Sequence, residues 1–235
     1  LIGAYFRFVG LGQWPMAFDE YYIARSINNI LGTGIPQYPC GGYYTRGLLY
    51  QYAAAPLFLL GLSPEWSIRA ISATAGLLAI WPAYLISRHE SSRPTAFFVV
   101  LALALSSWEV EMSRFGRMYA PYQAIFMWYM YLQYRLVRFG EHRQLPRLAI
   151  LSVAGVLTWE GGIFLCLLNF LPIIFDATPN PRRHFLFSLA LLMLAFIFLT
   201  AEFRFLGSDP PISQEAPEAR GPPDLSAGGL LRIGG

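Results

Sequence analysis

Apolar runs recur along this chain with short polar breaks between them. They cover 68–87, 94–108, 119–136, 148–159, 161–175 and 185–201. A helix that crosses a bilayer needs about 17–25 mostly apolar residues. Several of these runs fall short of that, which suits helices buried in a bundle better than isolated helices facing lipid. A further run, 47–62, is interrupted by Gln51 and Pro56 and reads either as a span or as a helix lying in the interface. Residues 1–8 are apolar but too short to cross, with no charged region or cleavage site before them. They read as the tail of a first span in a chain cut at both ends. Between these runs, 20–31 has helical spacing (Ile23, Ile27, Ile30), with Asp19 placed to cap it and Gly32-Thr33-Gly34 to end it. The stretch 207–229 holds five prolines and scattered acids. It is too poor in apolar residues to order itself and is expected to be a flexible segment. No internal repeat is visible.

Composition agrees with the pattern. Hydrophobic residues make up 55% and charged residues 13%, against roughly 25% charged in an average soluble domain, and the mean hydropathy is +0.43. The expected fold is therefore all-α, a polytopic membrane helix bundle. All 17 basic residues are Arg, so any phosphate or pyrophosphate must be gripped by guanidinium forks. Three loops are rich in Arg: 88–93, 135–147 and 182–184. They fall on one side if spans alternate from Ile68 onward, and the positive-inside rule makes that side cytoplasmic. The loops with Asp19-Glu20, with Glu65 and with Glu109 to Arg117 then face outward. This works only if 47–62 does not cross, so that run is expected to be a juxtamembrane helix. The expected division is a transmembrane domain over 1–206 (end of a first span 1–8, outer loop 9–67, bundle 68–206), followed by the flexible outer segment 207–235. Cys40 lies in a Gly-rich loop and Cys166 in an apolar run, so neither a disulfide framework nor a structural zinc site is expected. No nucleic-acid partner is expected.

The adjacent carboxylates Asp19-Glu20 stand out. Ionised groups near hydrocarbon are costly and mark sites of chemistry or transport. His89, His142 and His184 all fall in the inward loops, so an outward site must use carboxylates as its bases. An ion at such a site would need oxygen ligands, which points to Mg or Mn rather than Zn.

The order of these signals resembles a known family. Arg7-Phe8-Val9-Gly10-Leu11, then Phe18-Asp19-Glu20-Tyr21-Tyr22 with Ala24 and Ile27, is similar to the first outer loop of GT-C glycosyltransferases. The match is to bacterial glycosyltransferase family 39, relatives of the protein O-mannosyltransferases and lipid A aminoarabinose transferases. It continues through Arg46-Gly47-Leu48-Leu49-Tyr50, Arg69-Ala70-Ile71-Ser72-Ala73-Thr74-Ala75-Gly76 and Ser113-Arg114-Phe115-Gly116-Arg117-Met118-Tyr119, and so covers most of residues 1–175. In that family the first outer loop carries juxtamembrane helices. Relatives are longer, and some place an Asp where this chain has Met118-Tyr119, so a metal-binding carboxylate is missing there.

The resemblance implies transfer of a sugar from a polyprenyl-phosphate carrier to a lipid, glycan or protein acceptor at the outer face of a bacterial inner membrane, among membrane lipids. It makes Asp19 and Glu20 the catalytic pair, Asp19 as the general base and Glu20 as a group that positions the acceptor or its partner. The plainer reading is that Asp19 only caps the helix after it; one side chain can do both. Arg114 and Arg117, three apart and on one face if helical, are candidates for the donor phosphate, the alternative being pairing with Glu109 and Glu111 or with lipid headgroups. Arg46 is a third candidate, while Arg69 reads as a lock between loop and bundle. Glu160, at the break between two apolar runs, is either a cavity group or an interfacial turn. Two rival functions stand beside this one: a non-catalytic GT-C-derived subunit of a larger membrane complex, and a secondary transporter. The transporter is disfavoured because the charges sit at helix ends and no inverted repeat appears.

Overall fold

A computed structural model describes residues 1–37 and 42–207, the side chains of 205–207 excepted. Cys40 and the segment expected to be flexible from 208 onward lie outside the described residues. The described chain is an all-α membrane bundle. Its helices are α1 (Ile2–Phe8), α2 (Phe18–Thr33), α3 (Leu48–Leu59), α4 (Pro64–Glu90), α5 (Arg93–Leu105), α6 (Ser107–Arg114), α7 (Tyr119–Phe139), α8 (Leu145–Thr158), α9 (Ile163–Leu168), α10 (Leu171–Ile174) and α11 (Pro181–Gly207).

Two of these, α4 and α11, are long and apolar enough to cross a membrane by themselves, and α5 with α6 makes a third span if the bent pair is counted as one. Six spans were expected from the apolar runs, and the difference has local causes. The α5–α6 pair turns by 52° at Ser106, whose hydroxyl caps the new helix by accepting from the Glu109 N–H. The run 161–175 is broken into α9 and α10 by the Asn169-Phe170 turn. At 21 residues α7 is long enough to cross, but its Tyr, Trp and Gln residues make it less apolar. The 12-residue α3 spans only about 18 Å at 1.5 Å per residue, well short of the hydrocarbon core.

The centre of the bundle is the contact of α4 with α7. On α4 the small residues Ser72, Ala73 and Gly76 form one stripe, and the 113–117 segment packs onto it. The Ser72 hydroxyl donates to the Arg117 carbonyl at 2.9 Å, and a Cβ on Gly76 would stand 2.0 Å from Ser113 Oγ. The bend after α5 frees the carbonyls of Leu103 and Ala104, and Arg7, fully buried on α1, donates to both and to Ser113 Oγ. A separate cluster of Ile23, Ile27, Tyr50, Ala54, Ile68 and Met118 joins α2 and α3 to the head of α4.

The bundle has two chemically different ends. At one, Glu90 meets Tyr134 and Arg138, Arg135 meets Glu141, and the start of α8 faces the start of α11. The three Arg-rich loops thus gather together. The opposite end gathers Asp19, Glu20, Arg46, Arg117 and Glu160.

The tightest backbone approach lies at that second end, where α8 meets the turn after it. A Cβ on Gly162 would fall 2.2 Å from Gly155 C and Val156 N, which are backbone atoms that cannot rotate away. Gly162→Ala is therefore expected to destabilise the protein by about 1–3 kcal/mol. Gly32→Ala in α2, with open space around it, should be neutral or stabilising by up to about 1 kcal/mol. Thermal unfolding of the two variants checks the contrast.

Candidate active site

On α2 the buried residues are Glu20, Ile23, Ala24, Ser26, Ile27 and Ile30. Glu20 therefore sits on the inward stripe of a 3.6-residue period, and Asp19, one residue earlier, points off it. That periodicity is in the sequence and separates the two carboxylates. Glu20 is 1% exposed. Its Oε1 accepts from Arg69 Nε at 2.9 Å and from the Gly116 N–H at 2.6 Å. Its Oε2 accepts from Arg69 Nη2 at 2.6 Å and from the Ala17 N–H at 2.9 Å. Burial pushes its carboxyl up, but Arg69 and the two backbone donors outweigh burial and hold it below the usual carboxylate range. The remaining Arg69 donors go to the carbonyls of Leu11, Trp14 and Pro15, so Arg69 locks the 11–15 loop to α4.

Asp19 stays at the surface with its side chain 57% exposed, 2.6 Å from Arg117 Nη1. Arg117 is itself buried. Its Nη2 reaches the Tyr119 hydroxyl at 3.4 Å, its guanidinium lies 5.5 Å from the Tyr119 ring centre, and its Nε has no partner among the described residues.

The expected pairing of Arg114 with Arg117 on one helical face is corrected by the structure. The helix α6 ends at Arg114, and Phe115 is extended. The cause is Gly116, whose backbone presses so close that a Cβ would meet Ile68 Cγ1 at 2.7 Å and Glu20 Oε1 at 2.8 Å. Arg117 therefore goes to Asp19, while Arg114 Nη1 donates to the carbonyls of Phe6 and Val9. Neither pairs with Glu109, which accepts from Gln123 instead. Arg114 also borders a cavity of about 650 Å³ with Trp14, Glu20, Arg69 and Glu111.

Arg46 and Glu160, 114 residues apart, join at 2.6 Å. Each is held from behind. Gln51, fully buried on α3, donates to the carbonyls of Tyr44 and Arg46 and accepts from Ser26. Tyr122 donates to the Gly161 carbonyl, and Trp159 packs edge-on against Tyr122 and Tyr119. Burial pushes the Tyr44 phenol up while Arg117, Asp19 and Arg46 all act on it electrostatically, so Tyr44 is near both ion pairs. Glu202, 7% exposed on the last turns of α11, acts electrostatically on the same Arg46–Glu160 pair. Tyr44 carries no sequence signal that would have singled it out; Glu202 is visible as an acid at the end of an apolar run, but only the fold brings it to Arg46.

Mg or Mn would need several oxygens free to converge. Asp19 and Glu160 are each engaged by an arginine, and no group of three acidic, imidazole or thiol side chains comes together among the described residues. The described residues do not assemble a cation site.

Fold and site together define an integral membrane protein with a polar, Arg-lined centre at one end of a helical bundle. Residues 45–202 match the dolichyl-phosphate-mannose-protein mannosyltransferase family, and the chain belongs to that family of GT-C membrane glycosyltransferases. No curated protein and no solved structure matches the chain. The matched range includes Arg46, Arg114, Arg117 and Glu160; Asp19 and Glu20 precede it.

Breaking the buried pair from one side leaves Arg69 uncompensated, so Glu20→Gln should cost about 3–5 kcal/mol, and Asp19→Asn, where the carboxylate is 57% exposed, should cost less. Because the folded Glu20 carboxyl is depressed, its contribution is complete above about pH 5. It is lost as pH falls through the ordinary carboxylate range to the lower folded value. Unfolding followed from pH 7 to pH 3 should show that acid limb in the wild type and a flatter one in Glu20→Gln.

Proposed function

We propose that this protein transfers a sugar from a polyprenyl-phosphate donor to an acceptor hydroxyl, with inversion, and that Asp19 is the general base. The observation that carries this reading is Asp19 itself: a carboxylate open to solvent and anchored on a buried arginine, at the same end as the Arg46–Glu160 pair. The acceptor hydroxyl gives its proton to Asp19 as its oxygen attacks the anomeric carbon. The bond from that carbon to the phosphate oxygen breaks, and the carrier phosphate leaves with the negative charge. Arg117 and Arg46 face that charge, and fixed cations aimed at the place where charge develops stabilise it.

The Asp19–Arg117 contact adds a coupling. Without donor, the Asp19 carboxylate is held on Arg117 Nη1. A phosphate arriving at Arg117 competes for the guanidinium and frees the carboxylate to meet the acceptor hydroxyl.

In this reading Glu20 is a positioning residue, since four donors already fill its oxygens, and Glu160 aims Arg46. Arg114 lines the neighbouring cavity and ties α1 to α6, leaving the phosphate to Arg117 and Arg46. The positive-inside rule puts the Arg-rich end in the cytoplasm and the site at the outer face, which in a bacterial inner membrane is the periplasmic side.

Incubating the full-length protein with labelled polyprenyl-phosphate hexose tests this directly. Asp19→Asn should lower the transfer rate by about 10²–10⁴-fold with donor affinity retained or improved. Arg117→Gln should weaken donor binding as well as turnover. Undiminished transfer by Asp19→Asn removes Asp19 as the base.

A further inference from the structure

At the opposite, Arg-rich end the structure holds a second pocket, largely apolar with a few polar groups on its walls, that the transfer chemistry does not use. It has a volume of about 340 Å³ and lies between the start of α8 (Leu145, Pro146) and the start of α11, with Thr178, Arg183, His184 and Phe187 on its walls.

We propose that this pocket binds the phosphate headgroup of an anionic phospholipid. Three independent features converge on it. Arg183 is exposed and makes no ion pair among the described residues. Thr178 Oγ1 is buried without a hydrogen-bond partner, an unmet donor that a phosphate oxygen satisfies. The first turn of a 27-residue helix, with no acidic residue in it, presents backbone N–H groups that have no acceptor within the helix. His184 is fixed beside them by its Nε2 contact with the Asn169 carbonyl at 2.8 Å. Asp176 is exposed and is not part of the pocket wall, and Glu141, near the start of α8, is held by Arg135 and Gln144.

The remaining walls favour a lipid over free phosphate. Leu145, Pro146 and Phe187 are apolar, and Phe187 begins a stripe of exposed residues on α11 that continues through Leu194 and Ile197. An acyl chain can follow that stripe while the headgroup stays at the pocket. Basic pockets between helices on the cytoplasmic side are where anionic headgroups bind, and the Arg distribution assigns this end to that side.

The test uses the full chain in mild detergent with three probes at equal concentration: dihexanoyl phosphatidylglycerol, dihexanoyl phosphatidylcholine and inorganic phosphate. Phosphatidylglycerol should raise the unfolding temperature and the other two should not. Arg183→Gln should raise its half-saturating concentration about tenfold, and Thr178→Val, which keeps the shape and loses the hydroxyl, about threefold to tenfold. Arg143→Gln, at the same end but outside the pocket, should change it by less than about twofold. Equal protection by phosphatidylcholine, or an Arg143→Gln effect as large as that of Arg183→Gln, would overturn the site. Equal protection by inorganic phosphate would overturn the lipid as its ligand.

Discussion

The buried contact between Glu20 and Arg69 organises everything at the chemically rich end of this protein. Two charges taken out of water are costly, and their attraction offsets that cost only when the geometry is good and the other donors and acceptors are filled. Both conditions hold. The carboxylate receives two bonds from the guanidinium and two from backbone N–H groups, and Arg69 spends its other donors on three loop carbonyls. One ion pair thereby connects α2, α4, the 11–15 loop and the Gly116 turn. A hydrophobic pair of equal volume could fill the space. It could not hold those carbonyls or the Gly116 N–H.

The consequences run outward from this contact. With Glu20 turned inward, helical geometry directs Asp19 outward. With the Gly116 backbone drawn against Glu20, the chain leaves α6 extended, and Arg117 is delivered to Asp19. Ser72 holds the Arg117 carbonyl from below. The second ion pair, Arg46–Glu160, is fixed by different means, through Gln51 on one side and the Tyr119, Tyr122 and Trp159 aromatics on the other. Tyr44 feels charges of both pairs, so four segments distant in sequence share one polar region.

Much of the helical framework was legible in the sequence, because long apolar runs and Gly, Pro and Ser punctuation fix helices locally. The inward face of α2 was legible too, from the spacing of Ile23, Ile27 and Ile30 with Glu20. The split of Arg114 from Arg117 was not. It depends on how closely Gly116 approaches α4, and a glycine in sequence does not say what its missing side chain makes room for. The break in 161–175 was similarly hidden, since Asn169 bonds to Ser152 and to the Leu165 carbonyl, partners that only the folded bundle supplies. The place of Glu202 beside Arg46 comes wholly from the return of α11 to the same end.

A double-mutant cycle on Glu20 and Arg69 tests the account at its root. Unfolding free energies would be measured for the wild type, Glu20→Gln, Arg69→Met and the double variant. If one ion pair organises this end, the two changes are strongly non-additive, with a coupling of about 2–3 kcal/mol. Effects that add within about 0.5 kcal/mol would mean the two side chains act independently, and the architecture described for the site would be wrong.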